Sequence, residues 1–308
     1  MTVPRTTAIT SVLLAALLTA CTAATTEDTK PPGESLQIVA TTTILGDITS
    51  NIAGDQVMLE VLLPAGADPH DFQPSSQQVA LINDADLVIA NGLGLEEGLN
   101  DVIESAKADG ANVLEVAPLV DPLPFAQAGP NELRDDPHFW TDPLRVATAT
   151  EVIADALTRI DPSVNWVSRA AGYGAELRTL DAEIEALFGS IPESSRKLVT
   201  NHDALGYLAH RYGFEVVGVV IPGGSTLAQP SSAELAALVD VIEDEDVPVI
   251  FAETIEPSVL ADAVAAELGD AVAVVELYTD SLGPAGSGAE TLIKMLRLDA
   301  ERIAAGLT

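Results

Sequence analysis

The chain has 308 residues, enough for one large or two ordinary domains with real cores, and its 47% hydrophobic content argues against a disordered chain. With 14 basic against 47 acidic residues, a formal net charge of −33, it is a poor partner for nucleic acid. The acidic surface would draw cations weakly, but solubility alone accounts for it.

The apolar run Ser11 to Ala20 behind Arg5 is shorter than the roughly 20 residues that cross a bilayer, and fits the apolar centre of a signal peptide. It ends Leu18-Thr19-Ala20-Cys21, which looks like a bacterial lipobox: residues 1–20 read as signal peptide and Cys21 as the lipidated residue. Cys21 is the only cysteine, so intramolecular disulfides and thiolate metal sites are excluded. Cleavage before Cys21 removes one basic residue, Arg5, and no acidic one. That leaves 13 basic against 47 acidic residues, or −34. Residues 21–35 lack an apolar period, carry Pro31-Pro32-Gly33 and read as a lipidated flexible tether.

From Gln37 to Ile44 the chain reads as a strand that leads into a helix with Ile44, Ile48 and Ile52 on one face, closed by Gly54. Val57 to Leu63 reads as the next strand. After it comes the loop Pro64 to Ser75, stiffened by Pro64, Pro69 and Pro74, with His70 on it; a short helical pattern follows at Val79, Ile82 and Ala85. Alone, this loop reads most simply as a proline-rich turn with a surface histidine. Leu87 to Ala90 and Val113 to Val116 are two further strands, with a helix near Glu97 to Ala108 between them. Strands alternating with helices indicate an α/β fold with parallel sheets covered on both faces.

Pro118 to Pro137 is irregular and proline-rich. Asp136-Pro137-His138 then repeats the triplet Asp68-Pro69-His70, in a chain with only four histidines. Asp142-Pro143 opens a helix with Val146, Ala149, Ile153, Leu157 and Ile160 on its apolar face. Asp161-Pro162 repeats the device and opens a longer helix, about 40 Å at 1.5 Å per residue, ended by Gly189 and Pro192. The alternation resumes with strands at Lys197 to Thr200, Glu215 to Ile221, Val247 to Ala252 and Ala271 to Leu277. Ser231 and Glu234 make a capping box, and a last helix runs from Glu290 to Gly306.

Gly66 to Ser75 fits the pattern Gly-x-Asp-Pro-His-x-aromatic-x-Pro-Ser, and Asp136 to Pro143 fits a second histidine motif. In these motifs, and over nearly the whole mature chain, the sequence resembles the zinc- and manganese-binding lipoproteins of bacterial ABC importers, a family of metal solute-binding proteins. The resemblance implies two lobes, each a mostly parallel sheet flanked by helices, at residues 36–160 and 191–308. They would be joined by one long rigid linker helix at 161–190. It implies a third ligand in Thr200-Asn201-His202-Asp203-Ala204-Leu205, where leucine stands for the family's aromatic, and a fourth, Asp280, after the last strand. His70, His202 and Asp280 all follow strands, where open parallel sheets bind ligands. The implied metal set is thus His70, His138, His202 and Asp280. Three imidazoles and one carboxylate suit Zn²⁺, with Mn²⁺ the alternative.

One aspartate leaves the bound ion a formal +1, so outer-shell acceptors must help; Glu253, at a strand end, is the candidate, beside its reading as a surface carboxylate. Asp71 and Asp203 read as solvated or capping, and His210 matches no family ligand. The loop before His138 has no histidine, so no metal-collecting loop is implied. The expected function is the extracytoplasmic component of an ABC importer that captures a divalent metal between its lobes. It would be a monomer, lipid-anchored to the outer face of the cell membrane, with an ABC permease and its ATPase as partners and no nucleic acid. A manganese-specific importer component, a secreted zinc hydrolase and an adhesin are the competing readings. Against the hydrolase, no His-Glu-x-x-His motif is present.

Overall fold

A computed structural model describes residues 1–2, 35–127 and 134–308. All but the first two residues of the expected signal peptide, Cys21 and nearly all of the tether lie outside the described residues. The strands of the first half are β1 (Leu36–Ala40), β2 (Val57–Val61), β3 (Leu87–Ala90) and β4 (Val113–Glu115); those of the second are β5 (Lys197–Thr200), β6 (Glu215–Val219), β7 (Val249–Glu253) and β8 (Ala273–Leu277). They form two four-stranded, all-parallel sheets, ordered β2-β1-β3-β4 and β6-β5-β7-β8. The same order recurs in both halves, so each sheet reverses direction of growth beside its first strand, the place where open α/β sheets bind ligands.

Nine α-helices fill the connections among the described residues: α1 (Thr43–Ala53), α2 (Ser76–Asp84), α3 (Asn100–Ala108), α4 (Pro143–Ile160), α5 (Trp166–Phe188), α6 (Gly206–Tyr212), α7 (Ser232–Asp244), α8 (Val259–Leu268) and α9 (Leu292–Leu307). Period-2 alternation divides each sheet between two cores. Ile38, Ala40 and Ile89 belong to the core shared with α1, α4, α5 and α9, while Val39 and Val88 belong to the core shared with α2 and α3. In the second sheet Leu198 and Phe251 join that same central core, and Val199 and Ile250 pack under α7 and α8. One continuous apolar layer therefore lies beneath both sheets.

Helix α5 is pinned at both ends. Arg169 donates to the Ile52 and Ala53 carbonyls at the end of α1, and the Tyr173 hydroxyl donates to Asp47 Oδ2 at 3.1 Å. Toward its other end Asp181 accepts from Arg211 Nε at 2.9 Å and from the Tyr212 hydroxyl at 3.0 Å, both on α6. Contacts along one helix thus reach α1 of the first half and α6 of the second.

Two boundaries differ from the sequence reading, and two helices were not anticipated. The first strand stops at Ala40, because the Thr42 hydroxyl caps α1 by accepting the Leu45 N–H. The long helix starts at Trp166, capped by Asn165, and not at Asp161-Pro162. There Asp161 spends its carboxylate on Ser163, closing a turn, so α5 has 23 residues and is about 34 Å long. Helices α6 and α8 were not anticipated: α6 is too short to display a period, and the alanines of α8 blur its apolar stripe. The caps read at Asp142-Pro143 and at Ser231 with Glu234 are both present.

Candidate metal centre

The two Asp-Pro-His triplets use one local device. Each aspartate accepts the backbone N–H of the histidine two residues on: Asp68 Oδ1 from His70 at 2.8 Å, Asp136 Oδ1 from His138 at 2.9 Å. The intervening proline fixes φ, so the histidine leaves its loop in a set direction. Asp136 goes further, with Oδ1 also 2.6 Å from His138 Nδ1. The third histidine follows β5. Thr200 Oγ1 donates to the His202 carbonyl at 2.7 Å, while Glu253 Oε1, from the end of β7, accepts the His202 backbone N–H at 3.2 Å and lies 2.7 Å from Nδ1. Asp280 follows β8.

These loops converge. One ligand atom each from His70, His138, His202 and Asp280 lies within 4.8 Å of the others, and all four side chains are buried. Asp280 Oδ2 stands 3.5 Å from His70 Nε2, 3.9 Å from His138 Nε2 and 3.3 Å from His202 Nε2; the His138 and His202 Nε2 atoms are 3.3 Å apart. Tetrahedral bonds of 2.0–2.1 Å would separate ligand atoms by about 3.3–3.4 Å; two of these separations have that length and the others are wider, so the four atoms surround a space of the size of one metal ion without selecting which. Both Asp280 oxygens and both His70 ring nitrogens are buried with no hydrogen-bond partner, a costly arrangement unless a cation engages them.

A carboxylate only accepts, so Asp136 and Glu253 hold the hydrogen on Nδ1 of His138 and His202 and turn the Nε2 lone pairs inward. The third ring has a looser counterpart, Glu97 Oε1, 3.5 Å from His70 Nδ1 and partly exposed. Burial opposes charge on both His202 and Asp280. The Glu253 and Asp280 charges nevertheless hold the His202 pKa well above the ordinary histidine range, and His202 and His138 hold the Asp280 carboxyl well below the usual carboxylate range.

Around the cluster the sequence reading needs two changes. Glu253 is 2% exposed and bonded to His202 and to the Thr279 hydroxyl, so it is no surface carboxylate. Asp203 is buried as well, accepting the Gln127 N–H at 2.7 Å, because its loop folds under the first half of the chain. Asp71 is exposed, and His210 is exposed on the last turn of α6, outside the cluster. Two residues that the sequence did not single out also shape the site. The Trp140 ring lies 5.3 Å from that of His138 while its Nε1–H donates to the Thr279 carbonyl at 2.7 Å. Asp136 carried a signal that was in view: an aspartate two residues before each triplet histidine.

Residues 38–306 match the family model described as ZnuA, zinc-uptake complex component A, periplasmic. The chain belongs to this family. It is 33% identical over 299 residues to the manganese-binding lipoprotein MntA of Halalkalibacterium halodurans, covering 96% of this chain and 97% of the relative. It is 31% identical over 275 residues to the iron-binding protein YfeA of Yersinia pestis, covering 89% and 86%. Among solved structures, the periplasmic zinc-binding protein TroA from Treponema pallidum superposes with a TM-score of 0.80 at 31% identity, covering 89% of this chain and all of that one. The two-lobe α/β fold is thus the family's, and the chain is a metal-binding, substrate-binding component of the ABC-importer class, its relatives being substrate-binding proteins of transporters and not enzymes.

Proposed function

We propose that the protein captures one divalent transition metal, zinc in preference to manganese, with His70, His138, His202 and Asp280 as its ligands. The mature chain would hang from a lipid on Cys21 at the outer face of the cell membrane and deliver the ion to an ABC permease driven by its ATPase. Residues 36–160 and 191–308 would form the lobes, with 161–190 as the linker. The observation that carries this reading is the convergence of three imidazoles and one carboxylate, all buried, with ligand atoms within 4.8 Å of one another, a donor set that suits zinc. A catalytic zinc needs a position for water beside three protein ligands; four convergent ligands suit capture instead.

Manganese is the second reading. Asp280 Oδ1 is buried without a partner and can serve as a fifth ligand, which suits a harder ion, and the MntA relative is named for manganese. Paired Zn²⁺ and Mn²⁺ dissociation constants decide between them, measured on protein purified without added metal. Replacing His202 with Glu should narrow the zinc preference without reversing it, since imidazole suits zinc, carboxylate suits manganese, and the intrinsic order favours zinc in either site. An unchanged ratio, or equal losses from His202→Ala and His210→Ala, would defeat the assignment.

A further inference from the structure

The loop that carries His70 is gripped from the second half of the chain on both flanks. On one flank Gly66, held at φ 80°, donates its N–H to Ser281 Oγ at 2.8 Å, and Ser281 adjoins the ligand Asp280. On the other, the Thr226 hydroxyl donates to Asp68 Oδ2 at 2.6 Å. Thr226 lies in the loop between β6 and α7 and is 5% exposed.

Asp68 therefore has two duties. Its Oδ1 sets the turn that aims His70, and its Oδ2 reads the position of the opposing loop. The matching aspartate of the second triplet does not do this: Asp136 spends Oδ1 on His138 twice, and its Oδ2 has no partner. Asp68 and His70 share a turn through the His70 N–H, so a shift of the Asp68 carboxylate moves the ring with it.

Resting on the metal-binding reading above, we propose that Thr226 is a positioning residue for the cargo ion: through Asp68 it holds His70 on the ion, and breaking the Thr226–Asp68 contact opens the way to release. A hydrogen bond to a charged group is strong enough for its loss to speed release about tenfold or more.

The test uses the full chain loaded with Zn²⁺ or Co²⁺. Thr226→Val, which keeps the shape and removes the hydroxyl, should release Zn²⁺ to an excess of chelator at least about tenfold faster, with the association rate changed far less. It should also alter the visible absorption of the Co²⁺ form, which reports the ligand set. Thr226→Ser should restore parent behaviour. In an Asp68→Ala background, Thr226→Val should add nothing, because the hydroxyl acts through that carboxylate. Parent-like release from Thr226→Val, a Ser variant as fast as the Val variant, or additive effects in the double variant would each overturn the inference. A parent that takes up neither ion would remove the metal-binding reading itself.

Discussion

Replacing Glu253 with Gln removes one negative charge beside the metal cluster and little else. Glu253 Oε1 lies 2.7 Å from His202 Nδ1 and accepts the His202 backbone N–H at 3.2 Å, while Oε2 accepts the Thr279 hydroxyl at 2.9 Å. A glutamine of the same shape keeps an oxygen for His202, and the Thr279 hydroxyl can rotate to accept from the new amide. The change is thus electrostatic. Loss of such a partner behind a metal-ligating histidine costs about 10–100-fold in affinity, or about 1.4–2.8 kcal/mol at roughly 1.36 kcal/mol per decade. The structure also says where in pH the loss is felt. Against the opposing effect of burial, Glu253 and Asp280 hold the His202 pKa well above 6.5. A proton therefore competes with the metal for this ring across neutral pH, and the parent's affinity should climb about tenfold per pH unit while that proton is displaced. In the Gln variant His202 gives up its proton at lower pH, so its affinity levels off earlier. The gap between the two proteins should open as pH rises and close toward pH 6. Zinc dissociation constants by chelator competition, from about pH 6 to 8.5, measure this directly. A gap that stays constant over that range, or no loss of affinity at the alkaline end, would refute the role given to Glu253.

Two further outcomes are expected. Burial pushes the Asp299 carboxyl up to about 8, while its Oδ1 accepts the Tyr278 N–H at 3.0 Å. The folded pKa is above the unfolded value of about 3.9, so the native state holds a proton that the unfolded chain has lost, and stability falls as pH rises from about 4 to 8. Asp299→Asn keeps the acceptor and removes the titration, so its thermal midpoint should overtake the parent's by pH 8; parallel pH profiles would count against this. Changing Cys21 to Ser should move the protein from the membrane fraction to the soluble one, and a variant that stays with the membrane would dispose of the lipid anchor.

Of the four residues that the structure brings together, His70 and His138 carried a local signal, while His202 and Asp280 were implied by the family resemblance and by their place after strands. Two Asp-Pro-His triplets among four histidines stand out, and strand ends are readable from runs such as Leu198-Val199-Thr200. The caps at Asp142 and Ser231 were legible for the same reason: a cap is written in neighbouring residues. Asp161-Pro162 shows the limit of that method, since the same dipeptide closed a turn once Ser163 offered its N–H and hydroxyl to the carboxylate. Glu253 was legible only as a position at a strand end; that it reaches a ring 51 residues away depends on β5 and β7 pairing side by side. Thr226 carried no signal at all. A threonine in a loop is ordinary, and its meeting with Asp68 across 158 residues is a product of the packed core beneath both sheets.

A carrier must hold its ion firmly and still surrender it, and the arrangement of carboxylates addresses both needs. Asp280 touches the ligand cluster, while Asp136 and Glu253 stand behind two of its rings, all buried. Their field favours positive charge in the cluster without specifying its source. A divalent ion supplies that charge, and so does a proton on His202, whose pKa the Glu253 and Asp280 charges raise against the opposing effect of burial. Protons are therefore the built-in competitor for the site, and the electrostatic cost of emptying it is much smaller than for a cluster that must bear its carboxylates uncompensated. The grip on the His70 loop works on a different quantity. It changes how fast the ligand set can open without changing the charge inside it. Affinity should follow pH through His202, and release at fixed pH should follow the contact between Asp68 and Thr226.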